Sequence, residues 1–490
     1  MDRLSEAAVE GLGSEVGRWR YARAELAVGI VHLGLGAFAR AHLLAFTDDA
    51  LDQAFGPFGV CGVSLRSPGV RGRLLPQDGL YTVAERSGEA ERLRVIGCIR
   101  EILVGPEAPA AVVRRIADSA ISVVSLTVTE KGYCHDPATG RLQTRHPDIR
   151  HDLEHPDCPR SSIGALVAGL DARRRAGAPP PTVLCCDNLP SNGTTLRGLA
   201  LAFAALRDDP LAAWIEAEVV FPCTMVDRIV PAATPADVEG ISGRLGLRDE
   251  APVVCEAFRQ WAIEDRFAGP RPAWERVGAE LVGDVAPYEE MKLRLLNGSH
   301  SALAYLGWLA GFEHVFEVMR EGAFVAFLGR MMAEEIAPSL RVPADLASYQ
   351  RTLLERFANP ALAHRTAQIA MDGSQKLPQR LLGTVRDQLR AGGPIRLLCL
   401  AIAGWMRYAA GNDEAGRPIA LADPLAPRFG EIAARAGREP AALVQGFLSL
   451  RDVFGDDLPH NERLVSELTG WLAALLGRGA RAAVREAADS

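Results

Sequence analysis

At 490 residues the chain is longer than one hydrophobic core ordinarily supports, so two domains are expected. Hydrophobic residues make up 48% and charged residues 23%, an ordinary globular balance, and a net charge of −7 without a basic stripe argues against a nucleic-acid partner. The opening RLSEAAVEGLGSEVGRWR lacks the apolar core of a signal peptide, LLCLAIAGW (397–405) is too short to cross a membrane, and nine cysteines without a CxxC pair read as reduced core thiols, which together predict a cytoplasmic protein with no membrane partner.

In chain order, LAVGIVHLGLGAFARAHLLAF (26–46) reads as a short apolar strand, a turn through Gly34 and Gly36, and a helix running through Arg40, His42 and Phe46. Within it, Gly34-x-Gly36-x-x-Ala39 has a physical logic. The first glycine permits the tight turn, the second lets the backbone approach a pyrophosphate, and a small third residue lets helix and strand pack closely. Such glycine spacing alone is a common turn; its strand–turn–helix setting points to a dinucleotide site, with Gly34, Gly36, Phe38 and Ala39 as the cofactor-turn candidates. FGVCGVSL (58–65) reads as the second strand. A NAD site often has an acid at the end of that strand, but here stand Arg66 and Ser67. Arg66 either contacts a 2′-phosphate or caps an exposed strand end, so NAD is the expected cofactor with NADP not excluded.

AISVVSLTVTE (120–130), PPPTVLCCDN (179–188) and AEVVFPCTMVDRIVP (217–231) are three further β-rich runs. The neighbouring Cys185 and Cys186 form at best a strained disulfide, and buried thiols are the plainer reading. SSIGALVAGLDARRR (161–175) has helical periodicity, with Arg173–Arg175 read as a solvated helix end. Strand–helix alternation of this kind favours an α/β fold with a mostly parallel sheet. After about residue 285 strand runs become scarce, and EGAFVAFLGRMMAEEIAPSL and RLVSELTGWLAALLGRGARAAVREAA read as amphipathic helices. The expected organisation is therefore a dinucleotide-binding, Rossmann-type domain over 1–285 and a mostly helical substrate-binding domain over 286–490.

The stretch YEEMKLRLLNGSH (288–300) carries Lys292, Asn297 and His300 in an otherwise apolar helix. At about 100° per residue they fall at roughly 0°, 140° and 80°, on one broad face. Three readings compete for Lys292. It is a snorkelling residue with its amine in solvent; or it belongs with Tyr288 to the Tyr-x-x-x-Lys spacing of short-chain dehydrogenases; or it is a base. In the third reading a partly buried lysine takes the proton of an alcohol whose hydride goes to nicotinamide. Amides at Asn297 and at Asn188, where CCDN ends a strand, then hold the developing alkoxide. The ten histidines and nine cysteines lack short ligand spacings, so no metal is expected.

With these residues assembled, the chain resembles the polyol-specific long-chain dehydrogenases, the mannitol dehydrogenase family. The matching stretches are IVHLGLGAFARAH, SLTVTEKGYC, CDNLPSNG, FPCTMVDRIVPAAT, FRQWAIEDRF, MKLRLLNGSHSALAYLG and HRTAQIAMDGSQKLPQRLL, in family order from about 30 to 381. The resemblance implies an N-terminal Rossmann-type domain, a helical C-terminal domain, no metal and a cleft between domains. It implies Lys292 as general acid/base, Asn188 and Asn297 as an oxyanion pocket, and His300 orienting substrate. Asp227 matches a position in the substrate cleft, Glu130 a carboxylate on the proton's exit path, and Ser374 and Lys376 cleft residues of the second domain. One departure is visible: where the family usually has a histidine after GAF, this chain has Ala39, which still fits the small third position of the glycine motif.

TVTEKGYC, SLRSPGVRGRLLPQDGLYT and the HRTAQIAMDGSQKLPQRLL stretch look more like the fructuronate reductase branch than the mannitol 2-dehydrogenases. That implies interconversion of D-mannonate and D-fructuronate, and a cation for the carboxylate: Lys131, Arg365 or Lys376. A neutral polyol such as mannitol or arabinitol is the alternative, and a nucleotide-binding regulator without turnover the remote one. A small-molecule sugar acid or polyol is the expected partner, and the protein is expected as a monomer or small homo-oligomer.

Overall fold

The computed structural model describes residues 1–88, 90–136 and 139–490, which form two compact units, Met1–Ala286 and Pro287–Ser490. The first carries eleven strands among its described residues. In chain order they are β1 (Val28–Leu33), β2 (Gly59–Ser64), β3 (Tyr81–Ser87), β4 (Ala90–Ile96), β5 (Ile99–Val104) and β6 (Val123–Leu126). There follow β7 (Thr182–Cys185), β8 (Thr224–Asp227), β9 (Val253–Glu256), β10 (Gln260–Glu264) and β11 (Glu280–Val282).

Five of them form a parallel sheet in the order β5-β2-β1-β6-β7. Both faces are covered, which is why these strands read as continuous apolar runs rather than alternating ones. Successive side chains go to opposite cores: Ile30, Val60, Val123 and Leu184 to one, Val31, Val63, Val124 and Val183 to the other. The chain steps outward from β1 through β2 to β5, then returns beside β1 as β6. The strand order thus reverses between β1 and β6, and ligands of open α/β sheets bind at the carboxyl ends beside such a reversal.

The run 217–231 departs from the expected fifth strand of that sheet. Val220 makes an isolated parallel bridge to Thr182, and Pro222, which has no N–H to offer a ladder, then ends the pairing. The chain resumes as β8, antiparallel to β10 in a separate sheet of order β11-β10-β8. A third sheet of the same unit has the order β4-β3-β9, with β3 antiparallel to β4 and parallel to β9. Arg173 is a further correction: it is not solvated but 1% exposed, its guanidinium donating to the carbonyls of Ile116, Asp118, Ile121 and Pro179. All nine cysteines are free thiols, eight of them buried, and burial pushes Cys185 up to about 12.

The second unit is helical. Its centre is Arg396–Ala409, buried from Leu397 onward, with Trp405 packed on Phe429, Phe447 and Phe454. The apolar run 397–405 is therefore a core helix, and among the described residues no helix is long and apolar enough to cross a membrane. Buried Glu335 accepts from the N–H groups of Leu397 and Leu398 (2.8 and 2.7 Å) and so satisfies the helix's open amino end. Three π-helical turns occur here, Lys292–Asn297, Met331–Ile336 and Pro378–Leu382. Such turns are rare and concentrate at functional sites. The first corrects the even α-helical spacing assumed for 288–300: α-helix Ala286–Met291 gives way to the π-turn, and α-helix resumes at Gly298–Leu309.

Candidate active site

The glycine turn is held by a hydrogen-bonded relay across β1 and β6. Thr127 Oγ1 donates to the Gly34 carbonyl (2.9 Å), so it accepts from His32 Nε2–H (2.9 Å), leaving Nδ1 to accept from Ser125 Oγ (2.8 Å). Burial pushes His32 down to about 4, which keeps the ring neutral for this role. Gly34 has φ of 99°, and a Cβ there would lie 2.0 Å from the Thr127 carbonyl oxygen. At Gly36 a Cβ would meet only the Gly34 carbonyl, at 3.9 Å, so that backbone is open on one side. The helix beyond is interrupted at His42, between Ala37–Ala41 and Leu43–Gln53. His42 is fully buried, donates its Nε2–H to the Gln260 carbonyl (2.9 Å), and is pushed down to about 3 by burial.

A cavity of about 1020 Å³ opens at the carboxyl ends of β1, β2, β5 and β6. Its lining includes Gly34, Gly36, Arg66, Thr129, Lys131 and Arg160. Arg66 is exposed there, just beyond β2. Phe38 and Ala39 are not in that lining: Phe38 stacks on His42 (5.1 Å) and Ala39 is fully buried, as a close-packed third position requires.

Asn188 is exposed just past β7, and its surroundings are tied down from both sides. Asp187 accepts from Val128 N (2.7 Å), Thr129 N (3.2 Å) and Tyr133 Oη (2.7 Å), pinning the loop that carries Glu130 and Lys131. Thr129 is held at φ of 64° in that loop, while Glu130 and Lys131 are exposed. On the other side Asn192 Nδ2 donates to the Cys185 and Thr224 carbonyls (2.9 Å each), and its Oδ1 accepts from Thr224 N (2.8 Å). That clamp joins the end of β7 to the start of β8, whose last residue is Asp227, 4% exposed. Neighbouring Arg228 is engaged with Glu85 (2.6 Å) and with the Ala41 and Glu256 carbonyls. Asp187 and Asn192 were not singled out from the sequence, although both stand in CDNLPSN; what marks them is only that polar residues crowd a strand end.

In the second unit Lys292 opens the π-turn and Asn297 closes it. Because a π-turn closes its ring from i to i+5, these two residues lie one turn apart on the helix. Lys292 is 9% exposed. His300 follows one turn later, half-buried, its ring 4.8 Å from Phe357 and 5.6 Å from His364. Burial, then the charges of His364, Arg380, Arg356 and Lys376, push it well below the usual histidine range. Arg380 donates to Ser301 Oγ (3.2 Å), and Lys376 Nζ to the Met371 and Ile369 carbonyls (2.5 and 3.3 Å). Ser374 is committed to Asp423, through its N–H (2.8 Å) and its hydroxyl (2.6 Å). Arg365 has a side chain that is 65% exposed and pairs with Glu313 (3.2 Å).

Family models agree with this arrangement over nearly the whole chain. Residues 28–276 match the mannitol dehydrogenase Rossmann domain and 284–476 the mannitol dehydrogenase C-terminal domain. The chain belongs to the mannitol dehydrogenase family. It is 47% identical to the D-mannonate oxidoreductase of Escherichia coli (strain K12) over 95% of this chain and 96% of that one. Among solved structures it is similar to the mannitol 2-dehydrogenase of Pseudomonas fluorescens in ternary complex with NAD and D-mannitol. That match has 38% identity and a TM-score of 0.84, covering 99% of each chain. A substrate-free D-sorbitol dehydrogenase matches at 30% identity and a TM-score of 0.90, covering 98% of this chain and 100% of the other. As the family fold requires, the α/β unit precedes the helical one.

Proposed function

We propose that this mannitol dehydrogenase family member is an NAD-dependent oxidoreductase interconverting a secondary alcohol and a ketone on a sugar acid, D-mannonate and D-fructuronate, in the cytoplasm. The observation that carries the sugar-acid reading is the guanidinium of Arg380 beside the His300 turn: it donates to the Asn297 carbonyl (3.5 Å) and to Ser301 Oγ (3.2 Å). A carboxylate is the natural counter-charge to such a group. The 47% identity to a D-mannonate oxidoreductase supports the same choice.

The residues present fit a dinucleotide. Gly34 makes the turn, and the open side of Gly36 leaves room for a pyrophosphate against backbone. Arg66, Lys131 and Arg160 give the cavity positive charge for phosphates. NAD, when bound, supplies the hydride acceptor. Lys292 takes the hydroxyl proton as the hydride leaves and returns it in the reverse direction. Asn297 and Asn188 each donate an amide N–H to the oxygen as it becomes first alkoxide and then carbonyl. His300, neutral, orients the substrate hydroxyls. Asp227 is assigned to substrate binding, and Glu130, exposed on its loop, to the proton's exit to solvent. Lys376 faces the carboxylate with its amine already oriented by two carbonyls.

The test follows nicotinamide absorbance with NADH and either D-fructuronate or D-fructose. Fast turnover of fructuronate alone is expected. Fast turnover of fructose would make the protein a mannitol-type dehydrogenase, the reading favoured by the 38% identical mannitol 2-dehydrogenase. No turnover of either ketone with NADH or NADPH would sink both.

A further inference from the structure

We propose that Arg294 is a positioning residue that fixes the π-turn Lys292–Asn297 and thereby keeps the base and its amide donor on one face of the helix. This rests on the roles given above to Lys292 and Asn297. In a continuous α-helix the residue at i+5 lies about 140° around from residue i. The π-turn removes most of that offset because its own ring closes at i+5. The extra residue must be held there, since α-helix lies on both sides and a bulge shifted by a residue would rotate Lys292 away from Asn297.

Arg294 sits at the middle of the turn with its side chain 10% exposed. Its guanidinium reaches three segments. Nη2 pairs with Glu290 in the preceding helix (2.5 Å), and Nη1 pairs with Asp387 (2.7 Å) and donates to Ser339 Oγ (2.9 Å). Ser339 follows the second π-turn and Asp387 the third, so one side chain ties all three irregular turns together. The planar fork of arginine suits such divergent acceptors, which a lysine point charge cannot meet at once. The partner backbone also comes close: a Cβ on Gly298 would lie 2.9 Å from the Arg380 carbonyl oxygen. None of Glu290, Ser339 and Asp387 has a part in the proposed chemistry, so the cluster's use lies in the turn it holds.

The experiment compares Arg294→Met and Arg294→Lys with wild type for Tm, dinucleotide affinity, kcat, KM and the pH profile of kcat. Misplacement of catalytic groups by about 1 Å costs on the order of 10²-fold. A loss of kcat of that order is expected for Arg294→Met, with dinucleotide affinity unchanged, an altered pH profile, and partial rescue in Arg294→Lys. In the Arg294→Met background, adding Asn297→Ala is expected to cost much less than it does in wild type, because the amide is already misaligned. Unchanged kcat and pH profile well below Tm, with Asn297→Ala fully additive, would overturn the proposal and leave Arg294 a stabilising residue. If Arg294→Met does not fold, Asp387→Asn and Ser339→Ala each remove one anchor and are read the same way. Lys292→Ala is run alongside. Retained activity there refutes the base itself, whereas lost activity with an innocent Arg294 refutes the positioning role alone.

Discussion

The glycine turn at 34–39 and the π-turn at 292–297 both carry proposed site residues on an irregular stretch of backbone, and they are held in opposite ways. Gly34 is confined locally: φ of 99° and a carbonyl 2.0 Å from any Cβ leave glycine as the residue that fits. The π-turn has no comparable local demand. Lysine, leucine and arginine, five of the turn's six residues, are all good α-helix formers, and what fixes the extra residue is Arg294 reaching Glu290, Ser339 and Asp387. An irregularity dictated by sterics is written in the residue itself; one dictated by tertiary contacts is written about 45 and 93 residues away, at the partners.

The largest expected effect falls on the π-turn. Lys292→Ala should lower kcat by about 10³-fold or more, within the range for loss of a general base, while dinucleotide binding, followed by fluorescence titration, stays near wild type. Near-normal activity at neutral pH would show that Lys292 is not the base. On the other side of the comparison, Gly34→Ala and Gly36→Ala should separate. The first forces a Cβ against the Thr127 carbonyl and is expected to cost about 2 to 3 kcal/mol of stability as well as cofactor affinity. The second has room in the fold, so it should leave the urea midpoint unchanged and weaken dinucleotide binding only. Equal effects of the two on stability would contradict the division of labour between turn and cradle.

Asn297→Ala is expected to lower kcat by about 10²-fold, as loss of an oxyanion donor does. A change confined to KM would make Asn297 a binding residue instead.

How far the sequence disclosed these features follows from the same distinction. The strand–glycine–helix reading and four of the five β runs appear in the parallel sheet because apolar runs and glycine sterics are local signals. The run 217–231 was misplaced because Pro222 interrupts it, and the pairing of β8 with β10 depends on residues some 35 positions on. Lys292, Asn297 and His300 were found as polar residues in an apolar helix, yet their mutual angle was wrong, since no local pattern announces a π-turn. Arg365 read as a candidate anion clamp on charge alone. The structure gives it to Glu313 at the surface, and places Arg356 and Arg380, which the sequence reading passed over, among the charges acting on His300. Asp187 and Asn192 escaped for a related reason: a side chain that braces the backbone looks, in sequence, like any polar residue after a strand.

The smallest expected effect concerns histidines that brace rather than react. His32 and His42 are held at about 4 and about 3 in the folded chain, against an ordinary value near 6.5. Between those limits the unfolded chain binds more protons than the folded one, so stability rises with pH. Their contribution is therefore fully present above about pH 6.5 and is lost as pH falls toward 4, at about 1.4 kcal/mol per pH unit for each ring. Urea midpoints measured from pH 4 to 7 should decline on the acid side, and His32→Asn should flatten that decline by about one ring's share. Because His32 holds Gly34 through Thr127 and touches no reacting atom, the same substitution should leave the pH profile of kcat in place. A shifted kcat profile would instead couple the relay to the chemistry, and would draw the glycine turn toward the behaviour expected of the π-turn.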